Sequence, residues 1–320
     1  MSSIFNDFPN PSLFSQLHFR LAYTLLPAIR NLIKGAINND EINVVSIACG
    51  TALDASTFEL IARSRGLTFN YFGCDINKKD LVYNYRVIRN KTPNINHKYA
   101  HCDIAKTPPK SAIAKADCIL WRHPEFLSDH SETPKILIVK MCHILWNILK
   151  SKNEKSPMLI TCYDPHEMML ILELLQLFCE KDLLYNLNVD SQVGRSSMKN
   201  PLVDSQDDEL LFNLNNHDQF QLLITSAKLK NSDFNIKNLV EALTRALKKM
   251  LLTMPLDDKT DKITLLKALD KPGLDVYRLV VTYLNDQIRN ASNLLLVRDA
   301  ISSFITEHYE LKNVDLDITL

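Results

Sequence analysis

The chain has 320 residues and an even charge balance, 37 Lys plus Arg against 37 Asp plus Glu, which argues against a broad basic footprint for nucleic acid. Its length suits one large α/β domain plus a smaller one. With no signal peptide and no 18-residue apolar run, the sequence predicts a soluble, cytoplasmic protein with no membrane partner.

The seven cysteines lie between Cys49 and Cys179 without a Cys-x-x-Cys pair, and read as reduced core thiols. Six glycines beside plentiful Asn, Ile and Lys suggest an AT-rich bacterial genome. Residues 1–10 are polar, and Pro11-Ser12 opens a helix that Ser12 can cap. Leu17, Leu21, Leu25, Leu26, Ile29 and Leu32 give that helix one apolar face up to Lys34.

The first strand is predicted over Ile42–Ile47. It breaks into Ala48-Cys49-Gly50-Thr51-Ala52, small residues that let a ligand approach the backbone. A helix follows from Asp54 to Ser64 and ends at Gly66. Strand, tight turn and helix N-terminus together form a nucleotide-sized cradle. A dinucleotide fingerprint is excluded, because Gly50 is the one glycine between Gly35 and Gly66 and a pyrophosphate would lack its seat. An ordinary βα turn is the competing reading.

The second strand, Thr68–Cys74, closes on Gly73-Cys74-Asp75-Ile76-Asn77, where Asp75 or Asn77 can cap a helix from Lys78 marked by Tyr83, Val87 and Ile88. The third, Ile95–Ala100, leads to Cys102-Asp103-Ile104, where Asp103 can also serve a turn. The fourth, Ala116–Trp121, leads to Arg122-His123-Pro124. His123 is read either as a general base, its ordinary pKa being near working pH, or as a hydrogen-bonded wall of a pocket.

A helix over Ile136–Leu149 precedes the fifth strand, Met158–Cys162. Tyr163-Asp164-Pro165-His166 then enters a helix with Met168, Leu172, Leu175 and Phe178 inward. Strands at Leu184–Val189 and Gln219–Ser226 flank a polar insert over 190–218, and so long a connection is expected to be functional. After Asn231 only helical spacing remains: Ile236–Met254, Asp261–Leu269, Val276–Ile288 and a fourth helix from Ser292. No metal-ligand cluster is evident. The expected division is a helical cover over 1–40, an α/β domain over 41–230 and a separable helical domain over 231–320, the last open to partner binding, dimerisation or an intramolecular clamp.

The run from Asn43 to Asp54, with an acidic residue 25 positions after Gly50, resembles motif I and the ribose-binding acid of class I S-adenosylmethionine-dependent methyltransferases. The resemblance covers about residues 12–228. It implies a Rossmann-like sheet, mostly parallel with the last strand antiparallel, and S-adenosylmethionine as cofactor. It places Ala48, Cys49, Gly50, Thr51 and Asp54 at the cofactor, and has Asp75 accept from both ribose hydroxyls with Ile76 beside it. Asp103 would hold the adenine amine, Ile104 would lie against the ring, and Arg122 would stand near the methyl group.

His123, Tyr163 and His166 are the catalytic candidates on the same edge, and the leading helix would cover the pocket. Ala48 and Ala52 depart from the family, where glycines are commoner. Asn-Pro-Pro-Tyr, the mark of amino-group methylation on bases and glutamine, is absent, which leaves a small molecule or a protein side chain as the expected acceptor. A methyltransferase-fold binding or regulatory protein without turnover is the alternative.

Overall fold

The computed structural model describes residues 25–36, 39–124, 134–162, 165–193, 220–230, 236–253, 259–271, 276–277, 279–280 and 282–284. Its strands are β1 (Glu41–Ile47), β2 (Thr68–Asp75), β3 (Ile95–His101), β4 (Cys118–Arg122), β5 (Met158–Cys162), β6 (Leu184–Val193) and β7 (Phe220–Leu229). They make one seven-stranded sheet in the order β3-β2-β1-β4-β5-β7-β6. β1 to β5 pair in parallel, while β7 runs antiparallel to both β5 and β6.

The three central strands are apolar because both faces are covered: Val44–Ile47, Cys118–Trp121 and all of β5 are buried. The chain moves outward from β1 to β3, then returns to place β4 on the other side of β1. That reversal opens a crevice at the carboxyl ends of the strands, the usual ligand position in such sheets. The turns after β1, β2, β3 and β4 all meet at this edge.

The helices include α1 (25–33), α2 (Ala55–Arg65), α3 (Lys78–Tyr83), α4 (Lys110–Lys115), α5 (Pro134–Ser151), α6 (Pro165–Glu180), α7 (Ile236–Thr253) and α8 (Lys259–Ala268), and the described residues 276–277, 279–280 and 282–284 are helical as well. Between α3 and the short helical turn Arg89–Lys91, residues Asn84–Ile88 widen into a π-turn. On one sheet face Leu25, Ile29, Phe58, Phe69 and Tyr71 pack together; on the other, Trp121, Trp146, Leu149, Met168 and Phe178 do. The second cluster continues into α7 through Leu243, Leu247 and Met250.

An ion pair joins the same two helices. Glu173 of α6 is fully buried, 3.0 Å from Arg245 Nε, and also bonds the Lys249 ammonium. The sequence boundary at 230 thus falls between parts that share apolar contacts and a buried charge.

Two stretches differ from the sequence expectation. β6 runs on to Val193, so the insert begins with four strand residues, paired to β7 as far as Val193↔Phe220. Helix α4 was not anticipated, being six residues long behind Pro108-Pro109. The predicted start of the leading helix, most of the insert and the helix from Ser292 lie outside the described residues. None of the seven cysteines forms a disulfide. Among the described residues no helix is long and apolar enough to cross a membrane.

Candidate functional site

After Ile47 the backbone turns left-handed at every second residue: φ is 48° at Ala48, 50° at Gly50 and 45° at Ala52. Glycine adopts this conformation without penalty, whereas an alanine is disfavoured there by about 1–2 kcal/mol. The two positions where glycine was expected are therefore the two strained alanines. A Cβ on Gly50 would meet nothing within 4 Å, so the space above the turn is open. Cys49 points the other way and is buried beneath the turn, where desolvation pushes its thiol pKa up.

Asp75, at the tip of β2, is 7% exposed. Its Oδ2 accepts the Gly50 amide at 2.8 Å and its Oδ1 accepts the Asn77 amide at 2.7 Å. Asn77 is itself the cap of α3, its Oδ1 accepting from Lys79 N at 3.0 Å. The capping role thus belongs to Asn77, and Asp75 faces the turn after β1. Ile76 beside it is 53% exposed, and its carbonyl lies 3.0 Å from His101 Nε2.

Below the turn lies a second polar group. Asp54 is buried; its Oδ2 accepts from Tyr71 OH at 2.8 Å and from Ser46 Oγ at 3.2 Å, and its Oδ1 is 4.0 Å from Arg122 Nη1. Burial raises the Asp54 pKa, opposed by Arg122, Tyr71 and Ser46. Asp54 therefore ties the start of α2 to β1, β2 and the end of β4.

The remaining sequence candidates are spread along the edge. Asp103 serves a turn, its Oδ1 accepting from Ala105 N at 3.2 Å, and its Oδ2 is 3.5 Å from Lys140 Nζ. Ile104 is buried in the core, its carbonyl bonded by Asn147 Nδ2 at 3.0 Å. His123 is half-buried with φ 49°, and its amide donates to Thr161 O at 2.8 Å, prolonging the β4–β5 pairing. Tyr163 and the side chain of His166 lie outside the described residues. Among the described residues no three His, Cys, Asp or Glu side chains are grouped to hold a metal ion.

Several residues were not singled out by sequence. A Cβ on Gly73 would sit 2.8 Å from Tyr99 Cδ1 and 2.9 Å from Cys49 Sγ, so the Tyr99 ring and the Cys49 thiol both occupy the room glycine leaves. A glycine inside a strand is a sign of such close approach. Tyr99 OH is 2.9 Å from His97 Nδ1, and His97 Nε2 is 2.7 Å from Thr92 Oγ1. Because Thr92 Oγ1 donates to Ile88 O at 2.8 Å, it accepts from His97, which fixes the Nε2–H tautomer. Asn84 also reaches the turn, as described below.

No family model matches the chain, and no curated protein resembles it in sequence. Among solved structures it is similar to phosphoethanolamine N-methyltransferase 1 of Haemonchus contortus, in complex with phosphoethanolamine and S-adenosylhomocysteine. That likeness has a TM-score of 0.45 and 15% identity, over 79% of this chain and 55% of that one. Magnesium protoporphyrin IX methyltransferase of Synechocystis PCC 6803 with bound S-adenosylmethionine gives a TM-score of 0.39 and 11% identity, over 71% and 88%. The plantazolicin methyltransferase BpumL in complex with S-adenosylhomocysteine gives 0.37 and 14%, over 69% and 92%.

The glycine turn and the acidic strand tip meet at the switch point of the sheet. The chain has a Rossmann-like α/β fold, with a mostly parallel sheet whose last strand is antiparallel.

Proposed function

We propose that the chain is an S-adenosylmethionine-dependent methyltransferase acting on a small molecule or a protein side chain. The observation that carries this reading is the Asp75 carboxylate seated 2.8 Å from the Gly50 amide, with open space above Gly50. Each Asp75 oxygen accepts one backbone N–H, and a carboxylate offers about four acceptor sites. One site per oxygen is left for a ribose hydroxyl.

In this reading Ala48, Gly50 and Thr51 line the turn under the nucleoside, and Ile76 offers the apolar surface beside it. Asp103 and Ile104 stand at the adenine end, and Arg122 stands at the methyl end. Cys49 and Asp54 support the turn from beneath. When bound, the cofactor supplies an electrophilic methyl group. The chain's own part is to hold donor and acceptor in line and exclude water. His123, held in a left-handed backbone at the end of β4, is the described candidate for taking a proton from the acceptor. Tyr163 and His166 are the others.

Calorimetric titration with S-adenosylhomocysteine, with NAD as control, tests the reading. Saturable binding of the first alone is expected, followed by methyl transfer to a member of a small-molecule or peptide panel. No binding of S-adenosylhomocysteine overturns the proposal. Binding without turnover on any acceptor would favour a regulatory protein on the same scaffold.

A further inference from the structure

Asn84 is fully buried at the start of the π-turn, where Arg89 N donates to Asn84 O five residues back. Its Nδ2 donates to Gly50 O at 2.8 Å and lies 3.9 Å from Cys49 Sγ. On the other side of the same glycine, Asp75 Oδ2 accepts the Gly50 amide. The two peptide planes that meet at the Gly50 Cα are therefore each pinned by a side chain, one from β2 and one from the helix behind it. Glycine has the widest backbone freedom of any residue, and here that freedom is removed from outside the turn. π-turns are rare, and they concentrate at functional sites.

We infer that Asn84 is a positioning residue: it locks Gly50 in its left-handed conformation, so that the turn is set for the cofactor before the cofactor arrives. The inference rests on the cofactor reading of the turn and adds a residue that no motif marks. Pre-setting a binding loop improves affinity by removing the ordering step from binding. It also explains why a buried amide is spent on a backbone carbonyl 34 residues away.

The test uses the full chain with Asn84→Ala and the near-isosteric Asn84→Asp, which removes the donor and keeps the size. Amide hydrogen exchange is followed at Gly50 and Thr51, with the β5 amides as internal reference, and S-adenosylhomocysteine is then titrated. Expected are exchange at least tenfold faster at the turn, unchanged exchange in β5, and about tenfold weaker binding. Saturating ligand should restore protection of the turn.

Unchanged exchange at the turn overturns the inference, and so does a parallel rise in β5, which would mark general destabilisation. Wild-type affinity in both variants overturns it as well. If neither variant folds, Asn84 is a structural residue and the positioning role is lost. Should the wild type itself fail to bind S-adenosylhomocysteine, the cofactor reading falls and the positioning role falls with it. The exchange data would then still report whether Asn84 holds the turn.

Discussion

Asp75 and Gly50 stand 25 residues apart and share a 2.8 Å hydrogen bond that ties the tip of β2 to the turn after β1. The carboxylate also holds the Asn77 amide, so it is part of the scaffold as well as a candidate ribose acceptor. Asp75→Ala is expected to act on both. Hydrogen bonds to a charged group are worth about 1.5–3 kcal/mol each. Affinity for S-adenosylhomocysteine should fall about a hundredfold or more, and the melting temperature should fall too, because two backbone amides lose their partner. Calorimetry and thermal melting on this variant check both; unchanged affinity would remove Asp75 from the cofactor site.

Ala48 is exposed and left-handed, so replacing it with glycine removes strain and leaves no cavity. Ala48→Gly should stabilise the protein by roughly 0.5–1 kcal/mol, the relief of the left-handed penalty less the extra chain entropy of glycine. Ala52→Gly relieves the same strain but deletes a buried methyl, and should come out near neutral. Denaturant midpoints of the two variants decide this. A less stable Ala48→Gly protein would mean that the turn is not left-handed at that residue.

Gly73→Ala should be costly. Its new methyl would meet an aromatic ring at 2.8 Å and a buried thiol at 2.9 Å. Overpacking of this kind costs about 1–3 kcal/mol. The Cys49 end of the turn should be displaced, so S-adenosylhomocysteine binding should weaken alongside stability. A melting curve identical to wild type would show that Tyr99 does not lie over Gly73.

The His97 imidazole is held below its ordinary pKa, chiefly by burial. In the unfolded chain it protonates near ~6.5. Below that pH the unfolded chain gains a proton that the folded chain refuses. The contribution of His97 to stability is thus complete above about pH 6.5 and is lost as pH falls through that value, at up to ~1.4 kcal/mol per pH unit. Loss ends once the folded imidazole itself protonates. Urea unfolding from pH 8 to pH 5 should give a steeper decline for wild type than for His97→Gln; parallel curves would refute the assignment.

The helical C-terminal part is expected to be needed for folding of the rest. Truncation after residue 230 uncovers the α6 face under Leu243, Leu247 and Met250, and leaves buried Glu173 without Arg245 and Lys249. Stripping a buried charge of its partners costs about 3–5 kcal/mol. The fragment 1–230 should aggregate or melt far below the full chain. A soluble, ligand-binding fragment would bear out the division at 230 that the sequence suggests.

What was legible in the chain was what lies close in sequence. β5 was read to its exact residues, Met158–Cys162, because a buried parallel strand is an unbroken apolar run. Gly66 was read as the end of α2, and it takes φ 66° there. The meeting of Gly50 with Asp75 was anticipated as shared service to one ligand, though not as a direct hydrogen bond. Asn84 was invisible, since its partner is 34 residues away and a π-turn leaves no mark in helical spacing. The junction of α7 with α6 stays one of several alternatives in the sequence for a related reason. An amphipathic helix announces that it has an apolar face, without saying which neighbour will cover it.

The place of β7 has a consequence for synthesis. It fills the gap between β5 and β6, yet it is the last of the described strands to be made, beginning at Phe220 while β5 ends at Cys162. At about 5–20 residues per second on the ribosome, the edge of β5 waits roughly 3–12 seconds for its partner. During that interval the nascent chain presents an apolar strand with an open row of hydrogen-bonding groups, the form of edge most prone to capture by another chain. The β5 edge gains its native neighbour only once residues up to 229 have emerged.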